Sequence, residues 1–124
     1  MKPREATATG DCQRISEMLS RIGDKWTLLV IRSLGSGPLR FNALRRVIGD
    51  VSQKMLASTL RNLERDGFVT RTVTPSMPPQ VEYALTDLGI SLLTPVSALA
   101  EWTIRNTGRI EAARAAFAQK LAVE

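Results

Sequence analysis

The feature that most constrains this chain is a change of hydrophobic period at Gly67. Upstream, apolar residues recur at helical spacing. Phe41, Leu44, Val47 and Ile48 form one stripe, and Leu56, Leu60 and Leu63 form another in the run SQKMLASTLRNLERDG. Between them lies the turn signal Gly49-Asp50. Ser52 stands where a hydroxyl can cap the second helix, and Gly67 stands where a glycine can end it. Downstream the period falls to two. Phe68 to Thr74 is rich in Phe, Val and Thr, Pro75, Pro78 and Pro79 interrupt the run, and Val81, Tyr83 and Leu85 then alternate through QVEYAL. Two helices joined by a short glycine-containing turn are the DNA-binding supersecondary unit, and a hairpin after them supplies a wing. The pattern predicts a winged helix-turn-helix over Leu39–Leu85, with the helix-turn-helix at about 39–67 and the wing at about 68–85.

The flanks add helices. Residues 1–10, MKPREATATG, have no periodicity and are expected to be a flexible tail. From Asp11 the stripe Ile15, Met18, Leu19, Ile22 predicts a helix that ends at Gly23. Asp24 then caps a helix, KWTLLVIRSL, apolar enough to be buried. After the hairpin, Thr86 caps a region striped by Leu88, Leu92, Val96 and Leu99. Pro95 is expected to kink it and Gly108 to break it, and Ile110, Ala113, Phe117 and Leu121 continue the seam. At 124 residues the chain suits one domain. The expected organisation is a tail at 1–10, a winged helix-turn-helix domain at 11–107 and a C-terminal dimerisation helix at 108–124. The fold class is mainly α with a small β-hairpin, with dimerisation helices at both ends.

Charge and composition narrow the function. The net charge is +5, and between Arg40 and Arg71 seven Lys and Arg residues face three acidic ones. Such a segment suits a polyanion, nucleic acid or an anionic membrane, although a merely solvated basic face is the plainer alternative. No apolar run nears the ~20 residues of a membrane span, and the N-terminus lacks the apolar core of a signal peptide. The expectation is therefore a cytoplasmic protein with no membrane partner. There is no histidine and one cysteine, Cys12, which removes histidine-based catalysis, histidine metal sites and thiolate clusters. Glu64 and Asp66 lie among arginines, where ion pairing is the simpler account. An enzyme is not expected, and no cofactor or metal.

Individual side chains extend the expectation to DNA. With Leu56, Leu60 and Leu63 turned inward, Gln53, Lys54, Ala57, Ser58 and Arg61 point outward. Gln suits adenine, and Lys or Arg suits guanine. Ser52, at the helix N-terminus, suits a phosphate. In the wing, Arg71 is expected at the DNA backbone, and the loop Ser76–Pro79 within reach of backbone or minor groove. A winged helix used for protein–protein contact is the rival, since fold does not fix function.

The run IGDKWTLLVIRSL, then GPLRFNALRRVIGDVSQKMLASTLRNLERDGFVTR, then PPQVEYALTDLG, resembles the HxlR-type winged helix-turn-helix regulators, within the MarR-like superfamily, over about Cys12 to Trp102. The resemblance implies a bacterial transcription regulator, a repressor or autorepressor, that binds a palindromic double-stranded operator as a homodimer through its first and C-terminal helices. It places Ser52, Gln53 and Lys54 at the start of the recognition helix, Ser58 and Arg61 on its exposed face, and Arg40 near DNA. Members can respond to oxidants or electrophiles through a cysteine at the position of Cys12, so a small-molecule or oxidant effector is implied. The family often has Cys-Pro there, whereas this chain has Cys12-Gln13. A thiol near a helix N-terminus has its thiolate favoured, with Arg14 helping and Asp11 and Glu17 opposing. An inert, part-buried cysteine is the alternative.

Overall fold

The computed structural model describes the backbone of residues 2–124 and the side chains from residue 10 onward. The chain divides into two compact units, Met1–Leu93 and Thr94–Glu124.

The first unit opens with α1, Lys2–Ile22. The helix thus starts ahead of Asp11 and runs through most of the stretch expected as a tail; Met1 and the side chains of residues 1–9 lie outside the described residues. Pro3 is no obstacle so early, because the first-turn amides have no intrahelical acceptor in any case. Gly23 ends α1, its amide donating to the Leu19 carbonyl at 2.7 Å. Asp24 then caps α2, Lys25–Ser33, with one carboxylate oxygen accepting from the amides of Trp26 and Thr27. A 3-10 turn, Leu34–Ser36, and Gly37 lead to a two-residue strand β1, Leu39–Arg40.

Helix α3, Phe41–Ile48, and helix α4, Gln53–Arg65, follow. Gly49 closes α3 at φ +95°, a conformation that costs glycine little and other residues much. Arg45 braces the turn by donating from Nε to the Val51 carbonyl at 3.1 Å. Ser52 Oγ accepts from the Met55 amide at 3.0 Å, the expected cap. Helix α4 ends in a Schellman arrangement. Gly67, at φ +85°, donates to Glu64 O at 3.1 Å, and Phe68 donates to Leu63 O at 2.9 Å.

The hairpin is β2, Val69–Thr74, and β3, Gln80–Leu85, antiparallel with Val69 opposite Leu85 and Thr74 opposite Gln80. Strand β1 adds to β3, with Leu39 opposite Tyr83 and Arg40 opposite Glu82, so the sheet has three strands in the order β1-β3-β2. The core comprises Val30, Ile31, Leu34, Leu44, Val51, Leu56, Leu60, Leu63, Val69 and Tyr83. The long helix α5, Asp87–Val123, begins in this unit. Thr86 caps it by accepting from Gly89 N at 3.1 Å and ties it back by donating to Gly67 O at 2.6 Å.

The second unit is the remainder of α5. The helix passes Gly108 without the expected break and contains Pro95. A lone glycine costs a helix only about 1 kcal/mol, too little to end one this long.

Candidate nucleic-acid interface

Helix α4 separates its faces as the leucine spacing requires. Leu56, Leu60 and Leu63 are at most 2% exposed, and Thr59 joins them as a buried residue that the leucine pattern alone did not mark. On the other side Gln53, Lys54, Ser58 and Arg61 are exposed and Ala57 is half-buried. Lys54, Ala57 and Arg61 form a ridge with a concavity on each flank. One groove, 530 Å³, lies between the start of α3, the start of α4 and the wing, and its lining includes Arg40, Asn42, Arg46, Gln53 and Gln80. The other, 720 Å³, lies between α4 and the α1–α2 junction, and its lining includes Arg21, Asp24, Met55, Ser58, Arg65 and Asp66. The structure therefore brings Arg40 and Gln53 together and sends Ser58 to the opposite flank.

The remaining expected residues take three kinds of position. Ser52 spends an acceptor site on the Met55 amide, and its hydroxyl proton stays available at the helix end. Arg71 lies opposite Tyr83 in the β2–β3 ladder. Strand alternation puts it on the same sheet face as Val69 and Val73. It is exposed because the hairpin runs out beyond the core there. Ser76 donates its hydroxyl to the Pro78 carbonyl at 2.7 Å, which occupies that donor in shaping the wing loop. At the loop tip Met77 is 99% exposed.

The electrostatics of this face are open. Among the described residues the ion pair is Arg21–Asp66, at 3.2 Å, joining the end of α1 to the end of α4. Arg65 turns to Asn62 Oδ1. No carboxylate lies within ion-pairing distance of Arg40, Arg46, Lys54, Arg61 or Arg71 among the described residues, even though Glu82 stands opposite Arg40 in the ladder. These unpaired cations, of which Arg40 and Arg46 share one groove, are a donor set suited to phosphates and base edges. Arg46 and Asn42 were not singled out from sequence. Arg46 belongs to the basic segment, but only the path of the α3–α4 turn puts it beside Gln53.

Cys12 is exposed on α1, so it is not part-buried. Because α1 starts at Lys2, Cys12 lies well past its first turn. The expected placement of this residue near a helix N-terminus therefore does not hold. The stripe Ile15, Met18 and Leu19 is more than half exposed in this single copy of the chain. In the second unit, Leu99, Trp102, Ile104, Phe117 and Leu121 are exposed as well. Among the described residues no helix is long and apolar enough to cross a membrane.

The HxlR-like helix-turn-helix family matches residues 21–111. The uncharacterized HTH-type transcriptional regulator YtfH of Escherichia coli (strain K12) is 45% identical over 98 residues, 79% of this chain and 78% of that protein. The structure of the transcriptional regulator ytfH from Salmonella typhimurium is similar with a TM-score of 0.75 at 43% identity, covering 80% of this chain and 88% of that one. The redox regulator HypR in its reduced form is similar with a TM-score of 0.74 at 37% identity, covering 80% and 98%.

Proposed function

Because the chain belongs to the HxlR-like helix-turn-helix family, whose relatives are transcriptional regulators that bind DNA and not enzymes, we infer that it is a repressor that acts as a homodimer on a palindromic operator. The observation that carries the DNA-binding part of this reading is the ridge of α4. Its inner leucines are buried, and its outer face presents Lys54, Ala57 and Arg61 between two grooves. A major groove about 12 Å wide admits such a helix and leaves a sugar–phosphate strand on each side. Lys54 and Arg61 read bases, while Arg71 anchors the wing to the backbone.

Two apolar surfaces that a lone chain leaves in water support the dimer. Ile15, Met18 and Leu19 form one on α1, and Phe117 and Leu121 lie on the segment 108–124. Each gains by burial against a second copy, at roughly 25 cal/mol per Å² of apolar surface. Two half-sites then double the base contacts a single unit makes.

Cys12 is the control point in this proposal, and its exposure together with the likeness to a redox regulator supports that role. With one cysteine per chain, oxidation ends in a disulfide between two copies, a mixed disulfide with a small thiol, or a sulfenic acid. The test is duplex affinity before and after diamide or a quinone, for the wild type and Cys12→Ser. Release of DNA by the wild type alone supports the role, and equal responses remove Cys12 from the mechanism. A salt titration tests the DNA claim itself. Binding through several phosphates weakens steeply as salt rises, and a flat response points instead to a protein partner.

A further inference from the structure

We propose that the groove between α3, the start of α4 and the wing seats a phosphate group of the duplex backbone, with Arg46 and Asn42 as ligands alongside Arg40. This rests on the DNA-binding proposal above and deepens it. The two grooves flanking α4 differ in charge. On the α1–α2 side, Arg21 and Arg65 are matched by Asp24 and Asp66, and Arg21 is already paired. On the α3 side, Arg40 and Arg46 line a 530 Å³ groove whose lining contains no carboxylate. Of the two phosphate strands that flank α4, the one along the second groove meets net positive charge and the one along the first does not.

The chemistry within the groove suits a phosphate. Asn42 and Arg46 are four residues apart on α3 and so share one face. They also border the adjoining hollow with Arg45 and Gly49, which makes them the rim between the two depressions. Arg45 is committed to the Val51 carbonyl, whereas Arg46 has no hydrogen-bond partner among those described. A guanidinium offers planar, forked donors that match phosphate oxygens. The first turn of α3 carries no acidic residue and no side-chain cap, which leaves the positive end of that helix open beside the arginines. Gln53 forms part of the same lining. Its amide can donate to the same phosphate from there.

The experiment measures affinity for a random-sequence duplex across a range of salt for the wild type, Arg46→Gln and Arg46→Lys. Arg46 is exposed, so melting by circular dichroism is expected to be unchanged and serves as the folding control. Arg46→Gln removes one phosphate contact from each subunit of the dimer, so it is expected to lower the salt slope by about 1.8, about 0.9 per contact, and to weaken binding by about tenfold per subunit. Arg46→Lys is expected to restore the slope with incomplete recovery of affinity, because the charge returns without the fork. A parallel arm adds inorganic phosphate at matched ionic strength and follows melting. If phosphate stabilises the wild type but not Arg46→Gln, while both keep one salt slope on duplex, the groove serves a free phosphorylated ligand and the proposal is overturned. It is also overturned if Arg46→Gln matches the wild type throughout. A wild type that binds no duplex at all defeats the DNA-binding proposal as well, which separates the two failures.

Discussion

Leu60 and Arg61 are neighbours in the chain and opposites in α4. One is 1% exposed and the other faces solvent. Replacing Leu60 by alanine removes three buried carbons, a transfer loss of about 2.5 kcal/mol at ~0.8 kcal/mol per carbon. Leu44, Leu56 and Leu63 are fully packed in the same core and relax little, so the residual cavity raises the cost to about 3–4 kcal/mol. That is a large share of the ~5–15 kcal/mol that holds a domain together. At ~4–8 °C per kcal/mol for a domain of this size, the melting temperature is expected to fall by about 12–30 °C. Arg61→Ala, one residue along, is expected to stay within about 0.5 kcal/mol. The assay is urea unfolding followed by circular dichroism at fixed protein concentration, reading the midpoint with an unchanged slope. Duplex binding then supplies the mirror image, with Arg61→Ala losing affinity while its stability holds. Equal midpoints for the two variants would refute the phase assigned to α4, and with it the list of outward residues.

Other perturbations separate the remaining parts. Gly89→Ala puts a methyl 2.2 Å from the Phe68 carbonyl oxygen, so α5 must shift from the sheet; a melting curve is expected to show a loss above about 2 kcal/mol. Lys54→Ala is expected to relax sequence preference at about 1–3 kcal/mol per base contact, whereas Arg71→Ala weakens every duplex alike and lowers the salt slope. Competition between specific and random duplexes distinguishes them. Met18→Glu places a charge in the exposed α1 stripe and is expected to shift the chain to monomer in sedimentation, leaving the circular dichroism spectrum unchanged.

What could be read from sequence was whatever local pattern determines. The leucine spacing of α4 fixed its buried face, and the switch to period two located the hairpin to within a residue. Caps were legible too, because Ser52, Asp24 and Gly67 act within three residues of themselves. Long-range features were not. Strand β1 is two residues long and exists through its ladder to Tyr83 and Glu82, so no periodicity can announce it. The Arg40–Arg46–Gln53 cluster depends on the angle set at Gly49, which brings two helices and the wing to one groove. Gly108 signals a break in the sequence but does not make one, since a helix interior tolerates one glycine. The hydrogen bond from the Ser76 hydroxyl to Pro78 O was not legible either, because the loop's own fold decides it.

The most direct test is selection of bound sequences from a random duplex library at physiological salt, using the wild-type protein. The expected result is a palindrome whose half-sites lie about 10–10.5 bp apart, or a multiple of that, as two α4 helices in successive major grooves require. Lys54→Ala is expected to blur positions within each half-site while keeping the spacing. A pool that stays random after repeated rounds, or an enriched single site with no symmetry, would contradict a dimer that reads DNA through α4.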